Sequence, residues 1–431
     1  MRCTIHRGSR EIGGSCIEVR TDRTRILLDM GYPLFLNGNP IEDSVSRSDK
    51  DTLLALGVLP QVDGLYAWDT PRFDAVIISH AHLDHYGLLP WLHPSIPAYL
   101  SGGTSALISL SQRFGICPKY AINQRAFAMY TPFPVGDITI KPYLMDHSAF
   151  DAAAFEVHAE GKTLLYTGDF RGHGRKPGCL DAFLRDAPSQ ADALLIEGTM
   201  LGRQQEDVKT ESTLEEDLVR AMAKSGPILF QCSSQNVDRL VTFYRASLRT
   251  GRLFVIDVYT ANVLHELRRL GNNLPSADAG YDRMKVFYPW RLTQRIFDEI
   301  GEEYARRFSQ WHISKTQLAQ EKARICMMVR PSMIPDLQKV TEPMGGQFVY
   351  SMWQGYRNTS AQQRLEHLML EHGTTLLHVH SSGHARVSDL QRAIDALRPK
   401  RLIPVHGFFP ESFKSMCSAA EVHQDGVEFV V

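Results

Sequence analysis

Histidine and aspartate are concentrated in one short stretch of the chain, SHAHLDHYG, residues 79–87. It places His80, His82, Asp84 and His85 within six positions. Imidazole and carboxylate groups are ligands that suit Zn²⁺ and Mn²⁺. Two histidines separated by one residue point the same way on an extended backbone, and a following turn brings Asp84 and His85 to a second position. The stretch therefore predicts one metal at the first pair and a neighbouring metal at the second; the alternative is a solvated loop rich in histidine.

Side chains of the same kinds follow other apolar runs of the sequence. His147 comes after ITIKPYLM, Asp169 after TLLYTG and His406 after LIPV. Each signal is weak alone, because a single histidine is more often structural and TGD is often a turn. Their shared placement at predicted strand ends is informative, since strand ends are rigid supports for site residues. A carboxylate at Asp169 could bridge two metals about 3.5–4 Å apart and hold a hydroxide between them.

The elements that position these residues are predicted to be strands in the first part of the chain. CIEVR and RILLDMG flank the polar turn TDRT, which is typical of a hairpin, and DAVIISH predicts a buried strand that ends at His80. From about residue 210 to 375, strands and helices alternate in the manner of a parallel sheet. The remaining segment repeats strand, loop, helix and strand.

Composition limits the class of protein. The 431 residues suggest two domains or one domain with a large insertion. The net charge of −1 gives no overall basic signature of nucleic-acid binding, although a local basic groove stays open. Seven scattered cysteines without CxxC argue against a disulfide framework or a structural zinc ribbon. Neither a signal peptide nor an apolar run of about 18 residues occurs, so we expect a soluble cytoplasmic protein with no membrane partner.

Several motifs together resemble a known fold. HxHxDH, the later His147, Asp169 in TGDF and Asp29 in LLDMG resemble the metallo-β-lactamase fold, a four-layer αβ/βα sandwich with metals at one edge. Glu197 before GTM, then SSGHA and PVHG, resemble the β-CASP group of nucleases, which includes ribonuclease J and the endonuclease of mRNA 3′-end cleavage. The opening RGSREIGGSCIEV resembles the N-terminal strand pair of that group.

The resemblance implies a domain order. In the β-CASP group an inserted α/β domain interrupts the lactamase fold. We therefore expect the first part of the metallo-β-lactamase domain at residues 1–205, the inserted β-CASP domain at 206–375 and the completing part at 376–431. The fold class expected is α/β. The chain ends at Val431, soon after PVHG, which leaves no room for the C-terminal domain that supports oligomerisation in ribonuclease J; homo-oligomer formation stays open.

The resemblance also implies roles for single residues. It assigns one metal to His80, His82 and His147, the other to Asp84, His85 and His406, and the bridge to Asp169. Asp29 would orient the ligands from behind. By the same resemblance His384 is the general acid or a phosphate ligand, with Glu197 holding its imidazole, and both count as catalytic together with Asp84 and Asp169.

The motif SSGHA carries a phosphate-binding prediction of its own. Gly383 lets the backbone approach closely, and Ser381 and Ser382 offer hydroxyls and amides beside His384. The alternative is an ordinary helix N-cap before ARVSDLQRAI. The two are compatible, because a helix N-terminus is itself an anion site.

Three other segments have open interpretations. QCSSQNVDR, residues 231–239, offers Ser233, Asn236 and Arg239 as substrate contacts, with helix capping as the alternative. The loop from Arg171 to Lys176 is basic and suits a phosphate backbone or plain solvation. YSMWQGYR, residues 350–357, interleaves aromatics with an arginine and suits either base stacking or a strand at a domain interface.

These observations predict a metal-dependent phosphodiester hydrolase, a ribonuclease of endo- or exonucleolytic mode active in RNA processing. A hydroxide bridged by two metals would attack, and His384, supported by Glu197, would act as general acid. The cofactors expected are two divalent ions, Zn²⁺ first and Mn²⁺ as the alternative, and the partner is RNA, with single-stranded DNA as the alternative.

Two rival functions compete with this prediction. The first is a dinuclear hydrolase of a small phosphodiester or thioester; SSGHA with Glu197 favours phosphodiester cleavage, because thioester and lactam hydrolases need no such pair. The second is a non-enzymatic RNA-binding scaffold, which the presence of every expected ligand disfavours.

Overall fold

The computed structural model describes residues 1–36, 38–41, 45–203, 208–340 and 344–431. The strands in chain order are β1 (Arg2–Arg7), β2 (Cys16–Arg20), β3 (Arg25–Leu28), β4 (Phe35–Leu36), β5 (Asn39–Pro40), β6 (Ala75–Ile77), β7 (Ala98–Leu100), β8 (Gln124–Ala126), β9 (Phe133–Val135), β10 (Ile138–Leu144), β11 (Ala153–Ala159), β12 (Lys162–Tyr166), β13 (Ala193–Glu197), β14 (Ile228–Gln231), β15 (Leu253–Asp257), β16 (Met284–Phe287), β17 (Ile325–Met328), β18 (Gln347–Tyr350), β19 (Thr375–His378), β20 (Leu402–Val405) and β21 (Glu428–Val430).

Helices alternate with many of these strands. In chain order they are α1 (Lys50–Ala55), α2 (Leu83–Tyr86), α3 (Gly102–Arg113), α4 (Pro177–Asp186), α5 (Glu211–Met222), α6 (Val237–Arg249), α7 (Val258–Arg268), α8 (Trp290–Arg295), α9 (Glu303–Arg306), α10 (Lys315–Gln320), α11 (Ile334–Leu337), α12 (Ser360–Glu371) and α13 (Val387–Leu397). Short 3₁₀ turns include Leu89–Trp91, Gln354–Asn358 and Pro410–Ser415, and a π-helical turn covers Ile296–Ile300. Among the described residues, no helix is both long and apolar enough to cross a bilayer.

The first sheet has the strand order β21-β1-β2-β3-β6-β7-β8. Its β2 and β3 form the predicted hairpin, antiparallel from the Ile17–Leu28 pair to the Arg20–Arg25 pair. The turn between them is closed by Thr21, whose hydroxyl accepts a hydrogen bond from the Thr24 amide at 3.0 Å. β6 then joins β3 in parallel. β6 ends at Ile77, at the edge of the sheet, and His80 follows three residues later.

The second sheet has the order β20-β13-β12-β11-β10-β9. One face of each of these two sheets packs against the other, and residues such as Ile26, Ile77 and Phe155 form the shared buried core. α4 and α13 cover the outer face of the second sheet, and α3 covers that of the first. The arrangement is the four-layer αβ/βα sandwich that was predicted, and the predicted fold class is confirmed.

The third sheet, in the order β16-β15-β17-β14-β18-β19, is parallel throughout. The carboxyl ends of all its strands therefore lie at one edge, and the loop after β19 leads from that edge to SSGHA. β20 and β21 then return to the second and first sheets. The predicted boundary at 375/376 falls inside β19, which pairs with β18, and the predicted boundary at 205/206 lies outside the described residues. The domain limits stay predictions.

Candidate metal centre and active site

The stretch SHAHLDHYG bends at its centre. β6 ends at Ile77, and the extended His82 then precedes α2, which carries Asp84 in its first turn and His85 on its buried side. The bend is locked by close backbone contact: a side chain at Gly31 would lie 1.8 Å from the Asp84 carbonyl oxygen. The sequence therefore presents two ligand pairs in two directions, as the spacing predicted.

Three imidazole nitrogens converge at one point of the site. Nδ1 of His82 lies 3.2 Å from Nε2 of His80 and 3.1 Å from Nε2 of His147. Zinc–nitrogen bonds of about 2.0–2.1 Å at tetrahedral angles separate two nitrogens by about 3.3–3.4 Å. The observed separations are close to that value, so the three nitrogens fit around one ion with little movement.

The protonation of these imidazoles suits metal binding. Burial lowers the pKa of His82 to about 4, although Asp84 and Asp169 oppose it. Burial, reinforced by neighbouring histidines, also holds the pKa of His80 and of His147 well below the usual range. Neutral rings expose a nitrogen lone pair. In His147 the other nitrogen, Nδ1, donates to the Gly383 carbonyl at 2.5 Å, which leaves Nε2 as the ligand atom.

A second group consists of Asp84, His85, Asp169 and His406, each offering one atom within 4.8 Å of the others. Oδ2 of Asp169 lies 3.2 Å from Nε2 of His85 and 3.8 Å from Nε2 of His80. Nε2 of His406 lies 3.4 Å from Oδ2 of Asp84. Asp169 thus stands between the two histidine groups, and its role as a bridging ligand stays a prediction.

Unsatisfied buried atoms test whether this centre suits a cation. Both carboxylate oxygens of Asp169 and Nε2 of His85 are buried and make no hydrogen bond within the described part of the chain. Burial would raise the pKa of Asp169, but the adjacent His406, His85 and His384 hold it well below its usual range. A buried carboxylate without hydrogen bonds is costly unless positive charge balances it. The donor set therefore fits divalent metal.

Asp29 supports the centre from behind. It follows β3 with a left-handed φ of 61° and is fully buried. Its Oδ2 accepts hydrogen bonds from Nδ1 of His85 and the Tyr166 hydroxyl, both at 2.7 Å, and from the Ser79 hydroxyl at 2.8 Å. Its Oδ1 accepts from the Ser79 amide at 2.7 Å. The contact to His85 fixes the ring so that Nε2 faces the centre.

His384 lies beside this centre with its Nδ1 aimed at two carboxylates. That atom is 3.3 Å from Oε2 of Glu197 and 3.5 Å from Oδ2 of Asp169. Burial would lower the pKa of His384, but Glu197 and Asp169 outweigh burial and raise it. Glu197 ends β13, and its Oε1 accepts from the amides of Phe170 and Ala385, at 3.1 and 3.2 Å. One carboxylate therefore joins β13 to the loops that carry Asp169 and His384.

The SSGHA loop is held from several sides. The Ser382 carbonyl accepts from Nη1 of Arg171 at 3.2 Å and from Nε2 of His173 at 2.9 Å. Ser381 is buried and donates its hydroxyl to the Lys209 carbonyl. Ser382, Gly383 and His384 remain partly exposed, so they are the part of the motif that a ligand can reach.

The helix-cap alternative for SSGHA is wrong. α13 begins at Val387 after Arg386, which makes no side-chain capping bond. The motif is therefore a loop that precedes the helix.

One predicted substrate contact is contradicted. Arg239 is fully buried, and its guanidinium is paired with Glu211 at 2.9 Å and bonded to Ser351. Asn236 accepts from the Arg239 amide at 3.1 Å and caps α6, the alternative left open for this segment. Ser233 is exposed, and its hydroxyl accepts from the Gln235 amide at 3.2 Å. Ser233 is therefore the one of the three predicted contacts whose surface position favours a substrate-binding role.

The basic loop after Asp169 also has a structural role. Arg171 is fully buried and pairs with Asp238 at 2.5 Å and Asp146 at 3.3 Å. Arg175 pairs with Glu215 at 2.7 Å. These guanidiniums join the second sheet to α5 and α6 and do not form an open phosphate-binding surface.

Three site residues were missed in the sequence. The hydroxyl of Thr199 lies 2.9 Å from Nδ1 of His406 and so orients that ring. Ser79 and Tyr166 complete the shell of Asp29. Ser79 lies inside the motif SHAHLDH and Thr199 inside EGTM. Tyr166 ends the strand before TGD. Adjacency to these motifs was the sequence signal that could have identified all three residues.

Comparison with known proteins finds two matching sequence profiles and a similar fold. A profile described as a beta-lactamase superfamily domain matches residues 54–228, and one described as a Zn-dependent metallo-hydrolase RNA specificity domain matches residues 375–420. A solved structure, a protein of unknown function from Enterococcus faecalis, has a TM-score of 0.80 at 22% identity over 100% of this chain and 99% of its own. At this identity the likeness concerns the fold.

Curated relatives are similar over large parts of the chain. An RNase J-like protein of Methanocaldococcus jannaschii is 27% identical over 276 residues, covering 59% of this chain and 57% of the relative. Ribonuclease J of Sinorhizobium meliloti is 24% identical over 366 residues, covering 81% of this chain and 60% of the relative. Transcription termination factor FttA of Methanothermobacter thermautotrophicus is 28% identical over 300 residues, covering 62% of this chain and 44% of the relative. The chain thus spans less than two thirds of the length of these relatives.

The two profile matches cover most of the residues that form the candidate centre. Residues 54–228 include His80 to Glu197, and residues 375–420 include His384 and His406. The family description and the histidine and aspartate clusters together support divalent metal binding. Residues 54–228 thus match the beta-lactamase superfamily domain and residues 375–420 the Zn-dependent metallo-hydrolase RNA specificity domain, and the chain is similar to the ribonuclease J proteins, in agreement with the resemblance seen in its motifs.

Proposed function

We propose that this protein is a metal-dependent phosphodiester hydrolase that cleaves RNA. The observation that carries the proposal is the His384–Glu197 pair, 3.3 Å apart, placed 3.5 Å from the carboxylate between the two histidine groups. Cleavage of a phosphodiester releases an alkoxide, which needs a proton. A histidine held by a carboxylate beside the metal ligands is suited to supply it.

The centre would hold two divalent ions, Zn²⁺ or Mn²⁺. One would lie among His80, His82 and His147 and the other among Asp84, His85 and His406, with Asp169 shared. When bound, such ions supply Lewis acidity and make water a nucleophile at neutral pH. The role of the chain is to hold these ligands neutral or anionic as required and to fix their direction through Asp29, Thr199 and the Gly383 carbonyl.

His384 would act as the general acid through its outer nitrogen. Because Nδ1 faces Glu197 and Asp169, Nε2 is the atom free to donate toward a leaving oxygen. The carboxylates raise the pKa of His384 and so favour its protonated form. Glu197 also keeps its loop in place through Phe170 and Ala385, so it positions the acid and stabilises its charge.

RNA is the proposed substrate, with single-stranded DNA as the alternative. The profile that matches residues 375–420 is described by RNA specificity, and two of the relatives are a ribonuclease J and an RNase J-like protein. Partly exposed Ser382 and Gly383 would meet the phosphate beside His384. In this proposal residues 206–375 act as the inserted β-CASP domain.

The test is cleavage of a labelled single-stranded RNA by chelator-stripped protein with Zn²⁺ or Mn²⁺ restored. Wild type should cleave, and His384→Ala should lose cleavage while it keeps its metal. His367→Ala is the matched control, because that histidine on α12 is 76% exposed. RNA that stays intact with every metal, while a base-free phosphodiester is hydrolysed, would instead support a small-molecule hydrolase.

A further inference from the structure

Two exposed aromatic side chains lie on the loop that follows β18. Trp353 is 44% and Tyr356 51% exposed. Their rings meet edge to face, with centroids 5.3 Å apart and planes at 88°. Large aromatic surfaces normally pack inside a protein or against a partner. Among the described residues this pair stays at the surface, where its ring faces are available to a ligand.

The loop is held firmly although it is exposed. Its backbone accepts hydrogen bonds from the Tyr350 hydroxyl, at 3.0 Å to the Trp353 carbonyl, and from Nε2 of His378, at 3.2 Å to the Met352 carbonyl. A side chain at Gly355 would lie 2.2 Å from the indole, so glycine lets the ring fold over the turn. The rings are therefore presented in a set orientation, which lowers the entropic cost of binding.

The location of the pair ties it to the catalytic loop. Trp353 lines a cavity of about 560 Å³ together with Ser381, Ser382 and Lys209. The Ser382 hydroxyl accepts a hydrogen bond from the His384 amide at 3.0 Å, so the cavity adjoins the loop that carries the proposed general acid. Tyr356 lies beside this cavity through its edge-to-face contact with Trp353. The two rings thus lie beside the loop that carries His384.

We infer that Trp353 and Tyr356 stack on a base of the nucleotide beside the scissile phosphate and so select unpaired strands. The inference rests on the proposed nuclease function. Every base has a flat face, so stacking tolerates any sequence, whereas a base in a duplex is already stacked on its neighbours. The arginine of this segment has a different role, because Arg357 is paired with Glu366 at 2.7 Å. The base-stacking alternative for YSMWQGYR is thereby assigned to its aromatic rings.

The experiment measures KM and kcat of the metal-loaded enzyme on a short single-stranded RNA, on the same RNA with abasic central nucleotides, and on its duplex. Trp353→Ala and Tyr356→Ala should each raise KM about tenfold, since one stacked base contributes about 1–3 kcal/mol. kcat should change little, and Trp353→Phe should restore most of the affinity. For wild type, abasic RNA should raise KM to a similar degree, with no further effect in Trp353→Ala.

Trp290→Ala is the matched control. Trp290 is 58% exposed and begins α8 after β16, at the sheet edge opposite β19, about five strand spacings or 24 Å away. It should leave KM unchanged. Equal KM for intact and abasic RNA, or a wild-type KM in both alanine variants, would overturn the stacking role while RNA cleavage stands. A wild-type protein that cleaves neither RNA would overturn the nuclease proposal and this inference with it.

Discussion

Replacing Asp29 with asparagine should destabilise the fold and weaken metal binding together. The carboxylate accepts four hydrogen bonds of 2.7–2.8 Å from Ser79, His85 and Tyr166. An amide keeps one oxygen and turns the other into a donor. If the amino group takes the Oδ2 position it faces three donors, and if it takes the Oδ1 position it faces the Ser79 amide.

Either placement leaves at least one buried donor unpaired. Each such group costs about 1–3 kcal/mol, and the charge-assisted bond to His85 is lost as well. We therefore expect the metal-free variant to lose about 2–4 kcal/mol of unfolding free energy. Because His85 is then held by a neutral amide oxygen or not held at all, metal affinity should fall about 10- to 100-fold.

The assays are urea unfolding of chelator-treated protein and Zn²⁺ competition with a chromophoric chelator. Tyr166→Phe is the control: it removes one donor and leaves the carboxylate with three, so it should cost about 1 kcal/mol and change metal affinity little. Wild-type stability and wild-type Zn²⁺ affinity in Asp29→Asn would refute the reasoning, because the hydrogen-bonded shell would then have no orienting effect.

Three other changes test separate parts of the structure. Burial would raise the pKa of Glu18, but His6 and Arg25 lower it to about 2 from an ordinary 4.5. The ionised carboxylate should therefore stabilise the folded state by about 3 kcal/mol. This stabilisation should be complete above pH 4.5 and decline as the pH falls toward 2. The stability difference between wild type and Glu18→Gln in urea should shrink over that range; a constant difference would contradict this. Arg239→Met should cost about 3 kcal/mol by urea unfolding, because the buried carboxylate of Glu211 loses its closest charged partner and keeps only the Thr242 hydroxyl and the more distant Arg171. Adding Glu211→Leu should recover part of this loss; equal stability of the single and double variants would speak against the pairing. A side chain at Gly383 would lie 2.7 Å from the Ser148 hydroxyl and 3.2 Å from the ring of His147. Gly383→Ala should therefore disturb the predicted metal ligand His147 and reduce Zn²⁺ affinity about tenfold in the same competition assay. Unchanged affinity would show that the loop adapts.

Much of the candidate centre could be predicted because its residues follow strands. His80, Asp169 and His406 each come within three residues of the end of β6, β12 or β20. Apolar runs reveal such strands, and neighbouring strands bring their ends together at a sheet edge. The strand positions were therefore predictable from local sequence.

Residues paired over long distances carried no such signal. Arg171 and Arg239 looked like surface charges, but each lies buried among carboxylates from distant parts of the chain. Burial of a guanidinium depends on partners that only the tertiary fold supplies, such as Glu211 and Asp238. The same reason explains Tyr166, whose hydroxyl reaches Asp29 across 137 positions of sequence.

Backbone conformation was also beyond local prediction. Asp29 and His406 have left-handed φ values of 61° and 52°, which non-glycine residues seldom adopt. Both follow strands directly and both belong to the candidate centre. Strain of this kind persists where surrounding contacts enforce it, here the shell of Asp29 and the contact of His406 with Thr199.

The central claim is that metal held by this centre and the proton of His384 are both required for phosphodiester cleavage. The most direct measurement determines metal content and single-stranded RNA cleavage on the same samples of wild type, Asp169→Ala and His384→Ala. We predict metal and cleavage in wild type, loss of both in Asp169→Ala, and retained metal without cleavage in His384→Ala. Full RNA cleavage by metal-free protein, or by the His384→Ala variant, would contradict the account.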